Sequence, residues 1–234
     1  MILPETGAET GAAPQWQPRP DRFILAAGEL HLWQASLTVS PERYQPALDL
    51  SVDEVARYAR LRSPADRRFA VARTILRRLL ARYLHCEPAA IAFDYGDRGK
   101  PELRWSQSSL QPPLRFNLSH SQDVAVYAVA PAGRVGVDVE CLRPVPAWAK
   151  LASRYFSPQE QQRLSQLAGR AQQREFLRIW TQKEAYVKAT GEGIAGLAVA
   201  KVPDSWFCAS TVLDNAVVAT VGEDVTELKL FRWA

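Results

Sequence analysis

Apolar positions recur along this chain in two rhythms. Over residues 66–84, DRRFAVARTILRRLLARYL, the residues Phe69, Ala72, Ile75, Leu76, Leu79, Leu80 and Leu84 follow one another at intervals of three and four. That is the period of a helix with one buried face, and the arginines fall on the opposite side as a solvated basic face. A second helix is predicted over about Ala171–Ala189, with Gly191 placed to end it. Ahead of it, SPQEQQRLSQLA (157–168) starts a shorter helix. Ser157, Pro158 and Glu160 form an N-cap, a first-turn proline and a capping box. Elsewhere the pattern is that of strands. LHLWQASL (30–37) is extended, and AIAFDYGDRGKPELRW (90–105) is a strand, a glycine turn and a strand. RFNLSHSQDVAVYAVAP (115–131) contains a buried VAVYAVA strand, RVGVDVECL (134–142) is another, and Val199 to Trp233 alternates strands with turns.

The Pro-, Gly- and Ala-rich residues 1–22 read as a flexible tail. The rest divides into halves of similar plan. SQDVAVYAVAPAG (121–133) and LDNAVVATVGED (213–224) share an aspartate, an alanine–valine run and a turn. The expected architecture is therefore α+β: a pseudo-twofold pair of related halves, 23–133 and 134–234, with a site between them.

Composition narrows the function. With 47% hydrophobic and 23% charged residues, the 234-residue chain has the make-up of a soluble globular protein. It has neither a membrane-length apolar run nor a signal-peptide pattern, so a cytoplasmic protein is expected. Three scattered cysteines argue against a disulfide framework, and three histidines against a histidine-rich metal centre. A net charge of +4 suits an acidic or phosphorylated partner but does not by itself imply nucleic acid.

Four short stretches carry candidate chemistry. In GVDVECLRP (136–144), Asp138 and Glu140 lie two apart on a strand and share a face. Neighbouring carboxylates repel unless a cation intervenes, and a hard divalent ion such as Mg²⁺ fits that place; surface arginines are the simpler partners. In IWTQKEAYVKATGEG (179–193), Glu184 and Lys188 are i and i+4, with Trp180 one turn earlier. They form either a surface ion pair or part of a buried stripe that needs a partner. FNLSHS (116–121) offers Ser119 and His120, which suit phosphate binding better than nucleophilic catalysis, because consecutive strand residues face opposite ways; a structural histidine is the simpler reading of His120. DRGKPEL (97–103) combines Gly99, Lys100 and Pro101 in a basic turn without the spacing of a P-loop.

In this order, G-K-P, N-L-S-H-S, G-V-D-V-E and W-x-x-K-E-A-x-x-K resemble the signature series of the 4′-phosphopantetheinyl transferases, in particular the larger, surfactin-synthetase-activating type. The likeness is close over about 95–193. That type resembles two fused copies of the small holo-acyl-carrier-protein synthase subunit, in keeping with the internal duplication. The resemblance implies transfer of the phosphopantetheine arm of coenzyme A to a serine of an acyl or peptidyl carrier protein, releasing adenosine 3′,5′-bisphosphate. It implies Mg²⁺, or Mn²⁺ in its place, held by Asp138, Glu140 and Glu184. Glu184 is then the candidate base, and Lys188 the cation beside the phosphates. Ser119 and His120 would contact the phosphates of coenzyme A, His120 near the 3′-phosphate, and Gly99, Lys100 and Pro101 would pack against its adenine end. Arg57 is the best match to an earlier basic ligand, with Arg60 and Arg62 as rivals, and Asn117 would shape the strand end. Carriers from fatty-acid, polyketide and peptide synthases all remain open, and a monomer is expected. Two other readings of the same acids are a divalent-metal phosphohydrolase or nucleotidyl enzyme, and a non-catalytic module binding a carrier protein or acyl-CoA.

Overall fold

The structure, a computed structural model, describes residues 15–38, 46–60, 65–96, 98–104, 114–213 and 215–233. The chain opens with strand β1 (Glu29–Ser36) and continues through helices α1 (Pro46–Asp49), α2 (Val52–Tyr58) and α3 (Ala65–Leu84). A hairpin of β2 (Phe93–Tyr95) and β3 (Pro101–Leu103) follows, then a longer one of β4 (Arg115–Ser121) and β5 (Val124–Ala130). The second half repeats this plan. It has strand β6 (Val135–Cys141), helices α4 (Trp148–Tyr155), α5 (Pro158–Ser165) and α6 (Gly169–Thr190), and a hairpin of β7 (Phe207–Leu213) and β8 (Ala216–Gly222). A last strand, β9 (Glu227–Trp233), completes it. The fold is α+β in two halves.

In each half the single strand pairs antiparallel with the second strand of the hairpin, β1 with β5 and β6 with β8. The sheets run β4-β5-β1-β9 and β6-β8-β7. The final strand therefore leaves the second half and pairs in parallel with β1. Of the segment read as a tail, residues 1–14 lie outside the described residues. Gln17, however, exchanges main-chain hydrogen bonds with Leu230 and Arg232 along β9.

The alternating patterns sort side chains as expected. Val135, Val137, Val139 and Cys141 of β6 face a core shared with Leu30, Leu32, Val126 and Ala128. That core joins the halves. Helix α3 packs Ile75, Leu76, Leu79 and Leu80, all without exposed surface, against Trp33, Phe116 and Tyr127. Each such side chain contributes about 1.5–3 kcal/mol. The arginine side of α3 is only partly solvated: Arg73 and Arg77 are buried. Helix α5 carries the predicted cap, with Ser157 Oγ accepting from Glu160 N–H at 3.2 Å and Glu160 Oε2 accepting from Ser157 N–H at 2.6 Å. Helix α6 ends at Gly191, whose φ of +77° is the left-handed cap that glycine adopts freely.

Candidate active site

The site begins with a glycine. A Cβ at Gly136 would lie 1.9 Å from the carbonyl oxygen of Ala185 and 2.8 Å from the amide nitrogen of Ala189. Only its absence lets α6 lie directly on β6. Residues 138 and 140 share the face of Gly136, so Asp138 and Glu140 point at the helix that carries Glu184 and Lys188.

The other edge of β6 meets β4 through side chains. Asn117 Oδ1 accepts from Val137 N–H at 3.0 Å, and Ser121 Oγ accepts from Cys141 N–H at 3.2 Å. Asn117 thus binds the two halves together. Ser119 stands between these two residues, and its Oγ donates to Asp138 Oδ1 at 2.8 Å. Lys188 Nζ closes the triangle, 2.5 Å from Asp138 Oδ1 and 2.9 Å from Ser119 Oγ.

Asp138 is 5% exposed, and its Oδ2 is buried without a hydrogen-bond partner. A buried carboxylate is costly unless paired, so half of this one remains uncompensated. Glu140 and Glu184 lie close enough to interact electrostatically with it. Burial, and then the neighbouring Asp138, raise the Glu140 carboxyl above its usual value, against the bond from Ser121 Oγ at 3.1 Å. Burial and Asp138 also raise Glu184, with Lys188 opposing. Three carboxylates in mutual repulsion, one with an orphaned oxygen, are the donor set a hard divalent cation prefers. In the chain alone Lys188 takes the cation's place on Asp138, and among the described residues no trio of acids stands in coordinating arrangement.

Beside this cluster runs a groove of about 340 Å³, lined by Arg57, Phe69, Ala72, Arg73, Gly99, Pro101, Leu118, Ser119, His120 and Lys188. None of these lining residues is an acid. The His120 imidazole opens to solvent on one side, yet it is held below its usual value, first by desolvation, then by Lys188, Arg68 and Arg73. Gly99 has φ +74° and its N–H bonds to Gly96 O at 2.8 Å, which folds the β2–β3 turn tightly enough to form one wall. Lys100 leaves that wall for a larger neighbouring cavity of about 1010 Å³. There its Nζ donates to Ala189 O at 3.0 Å, while Arg98 donates to Gly191 O at 3.3 Å. Both satisfy carbonyls left open at the C-terminus of α6, latching the first half to the second. Burial lowers the Lys100 ammonium below its usual value.

The structure therefore gathers Arg57, Gly99, Pro101, Ser119, His120 and Lys188 around one groove, next to Asp138, Glu140 and Glu184. Arg60 is exposed and lies outside the lining, and Arg62 lies outside the described residues. Trp180 packs on Phe176 and Tyr155 in the second half's own core. Arg73 is the charged groove residue that the sequence does not single out from the arginine face of α3, because a helical arginine opposite the apolar stripe gives no local sign of burial.

Family comparison agrees with the geometry. The family model described as the 4′-phosphopantetheinyl transferase superfamily matches residues 134–222. A second, described as 4′-phosphopantetheinyl transferase, N-terminal, matches 31–132. The chain belongs to the 4′-phosphopantetheinyl transferases. It is 40% identical over 222 residues to 4′-phosphopantetheinyl transferase HetI of Nostoc sp., covering 88% of this chain and 92% of that one. It is 38% identical to 4′-phosphopantetheinyl transferase psf-1 of Bacillus pumilus, over 53% of this chain and 52% of the relative. It is 40% identical to 4′-phosphopantetheinyl transferase AcpT of Salmonella typhi, over 48% and 55%. The protein is thus an enzyme of phosphopantetheine transfer, with coenzyme A as co-substrate and a carrier protein as acceptor.

Proposed function

We propose that this cytoplasmic monomer carries out Mg²⁺-dependent transfer of 4′-phosphopantetheine from coenzyme A to a serine of an acyl or peptidyl carrier protein, leaving adenosine 3′,5′-bisphosphate. The observation that carries this reading is Asp138 Oδ2, a buried acceptor without a partner, beside Glu140 and Glu184 at the end of a groove lined by cations. Asp138, Glu140 and Glu184 would hold the metal, with Mn²⁺ as an alternative. The bound ion would neutralise the diphosphate and act as Lewis acid toward it. Lys188, now on Asp138, would turn to the diphosphate oxygens and stabilise charge on the departing bisphosphate. Ser119 orients Asp138 and Lys188, and His120 with Arg57 would take phosphate charge farther along the groove. Glu184 would receive the proton of the attacking serine, directly or through water. Gly99 and Pro101 would shape the adenine wall, and Lys100 would hold that wall to α6. Both walls come from one chain, which supports a monomer.

The test is to incubate the protein with Mg²⁺, coenzyme A and apo carriers from fatty-acid, polyketide and peptide synthases, then analyse both products. The expected result is one phosphopantetheine per carrier with an equal amount of adenosine 3′,5′-bisphosphate. Release of phosphate or pyrophosphate with an unmodified carrier would instead show the phosphohydrolase alternative.

A further inference from the structure

Two strands from different halves run side by side at the seam without pairing as strands. β4 belongs to the first sheet and β6 to the second, and side chains stand in for the missing ladder. Asn117 Oδ1 takes the Val137 N–H at 3.0 Å, and four residues on, Ser121 Oγ takes the Cys141 N–H at 3.2 Å. The Cys141 thiol adds a second tie, Sγ donating to Ser121 O at 3.3 Å. Ser121 ends β4, and the turn after it is itself pinned, with Leu37 N–H donating to Asp123 O at 2.7 Å. Ser121 is buried and lines no part of the groove.

These ties give the hydroxyl a direction. Ser121 Oγ accepts from an amide, so its single proton is left for an acceptor. Glu140 Oε2 is that acceptor, at 3.1 Å. Ser119, two residues earlier on the same face of β4, donates likewise to Asp138 Oδ1 at 2.8 Å. Two serines thus stand opposite two acids in register. Their duties differ. Ser119 also accepts from Lys188 Nζ and lines the groove, whereas the Ser121 hydroxyl bonds only to β6 among the described residues. Arg143 also approaches Glu140 Oε2, but at 3.9 Å and with its side chain 62% exposed it is too distant and too solvated to fix the carboxylate. Both contacts fall on Oε2, and among the described residues Oε1 accepts no hydrogen bond. A glutamate that rotates freely loses side-chain freedom when it binds an ion. Ser121 imposes that order on Glu140 in the chain alone.

We infer that Ser121 is a positioning residue for the transfer reaction: it holds Glu140 by one carboxylate oxygen and leaves the other to a divalent ion. The inference rests on the proposed binding of that ion by Asp138, Glu140 and Glu184. Hydrogen-bonded partners behind a metal ligand set its orientation, and losing one typically weakens metal binding by about 10- to 100-fold. The same hydroxyl is a rung between β4 and β6, so the seam between the halves sets where the Glu140 carboxylate stands.

Mn²⁺ alone is the probe, its free concentration read by electron paramagnetic resonance with the full chain and with neither coenzyme A nor carrier present. The wild type is expected to bind Mn²⁺, and S121A to bind it at least about 10-fold more weakly. S121T keeps the hydroxyl and should restore most of the affinity. S121C keeps a weaker donor and should fall between; it serves if S121A does not fold. N117A removes the neighbouring rung, which meets no acid, so it should lower the melting temperature and leave Mn²⁺ affinity near that of the wild type. Thermal melts of every variant report folding. Wild-type affinity in folded S121A or S121C overturns the inference while the metal reading stands. Equal weakening in N117A and S121A does the same, since it marks a loosened seam. Absence of Mn²⁺ binding by the wild type overturns the metal reading and the inference with it.

Discussion

The two halves are built alike, and the difference between strands β1 and β6 explains why the acid cluster belongs to the second. The hairpin strands β5 and β8 serve as rulers. Asp138 pairs with Ala219 as Trp33 pairs with Tyr127, Glu140 with Val217 as Ala35 with Ala125, and Gly136 with Val221 as His31 with Val129. Where β6 presents glycine, aspartate and glutamate to its helix, β1 presents histidine, tryptophan and alanine. In the first half the space is filled: Trp33 Nε1 and His31 Nδ1 both meet the Tyr83 hydroxyl, at 2.9 and 2.7 Å. The free edges differ as well. That of β1 is closed by β9 along seven registered pairs, Glu29↔Glu227 to Ala35↔Trp233. That of β6 is met by side chains of β4, which leaves Ser119 free to face Asp138. One copy of the plan is packed as core, and the other keeps charged groups at a seam.

Changes to the acid face break this contrast most strongly. D138A or E184A should lower carrier modification by at least about 100- to 1,000-fold, the scale of losing a main electrostatic stabiliser. In the first half W33F, at the position of Asp138, should leave turnover within a few-fold while lowering melting temperature. Steady-state rates beside thermal melts separate the two outcomes.

G136A comes next. The added methyl meets helix backbone, so α6 must shift off β6, at a cost of about 1–3 kcal/mol. Urea unfolding should show that loss, with activity falling as well because Lys188 and Glu184 move with the helix. An unchanged midpoint would mean that close packing there is not required.

K188M leaves Asp138 buried with only Ser119 as partner. Lys188 is about a third exposed, so solvent moderates the loss to about 1–2 kcal/mol of stability. Added Mg²⁺ should recover part of the melting temperature in this variant, since the three acids then lack their own cation.

The smallest effect concerns His31. Burial holds its imidazole below the ordinary value of 6.5, against the pull of Glu29. The folded state therefore resists protonation more than the unfolded one does. This contribution is complete above about pH 6.5 and declines as pH falls toward the lower folded value. Melting temperature should drop by a few degrees over that window, and H31L should flatten the drop.

Much of this contrast can be read in the residues, and some of it cannot. The long helices, the Ser157–Glu160 cap, the stop at Gly191 and the shared face of Asp138 and Glu140 are local patterns, and the structure shows each of them. Helix α2 escapes a reading of periodicity although Ser51 and Glu54 carry a capping signal, with Ser51 N–H on Glu54 Oε2 at 3.2 Å; the helix is too short to show a period. The same holds for α4. The return of β9 to the first sheet and the turn of Lys100 toward Ala189 depend on partners about 90 to 200 residues away, and the burial of Arg73 on which face its neighbours cover. Gly136 is visible in the sequence, but its need to be glycine appears only against the backbone of Ala185.

The proposed chemistry stands or falls with Asp138, Glu140 and Glu184 acting together through one divalent ion at the seam. The decisive experiment is the intact mass of an apo carrier after incubation with coenzyme A and the wild-type protein, with Mg²⁺ and after chelation, beside E184Q with Mg²⁺. A shared ion predicts a fully modified carrier only in the first case, with chelated wild type and E184Q leaving it unmodified. Full modification after chelation, or by E184Q at the wild-type rate, would contradict it.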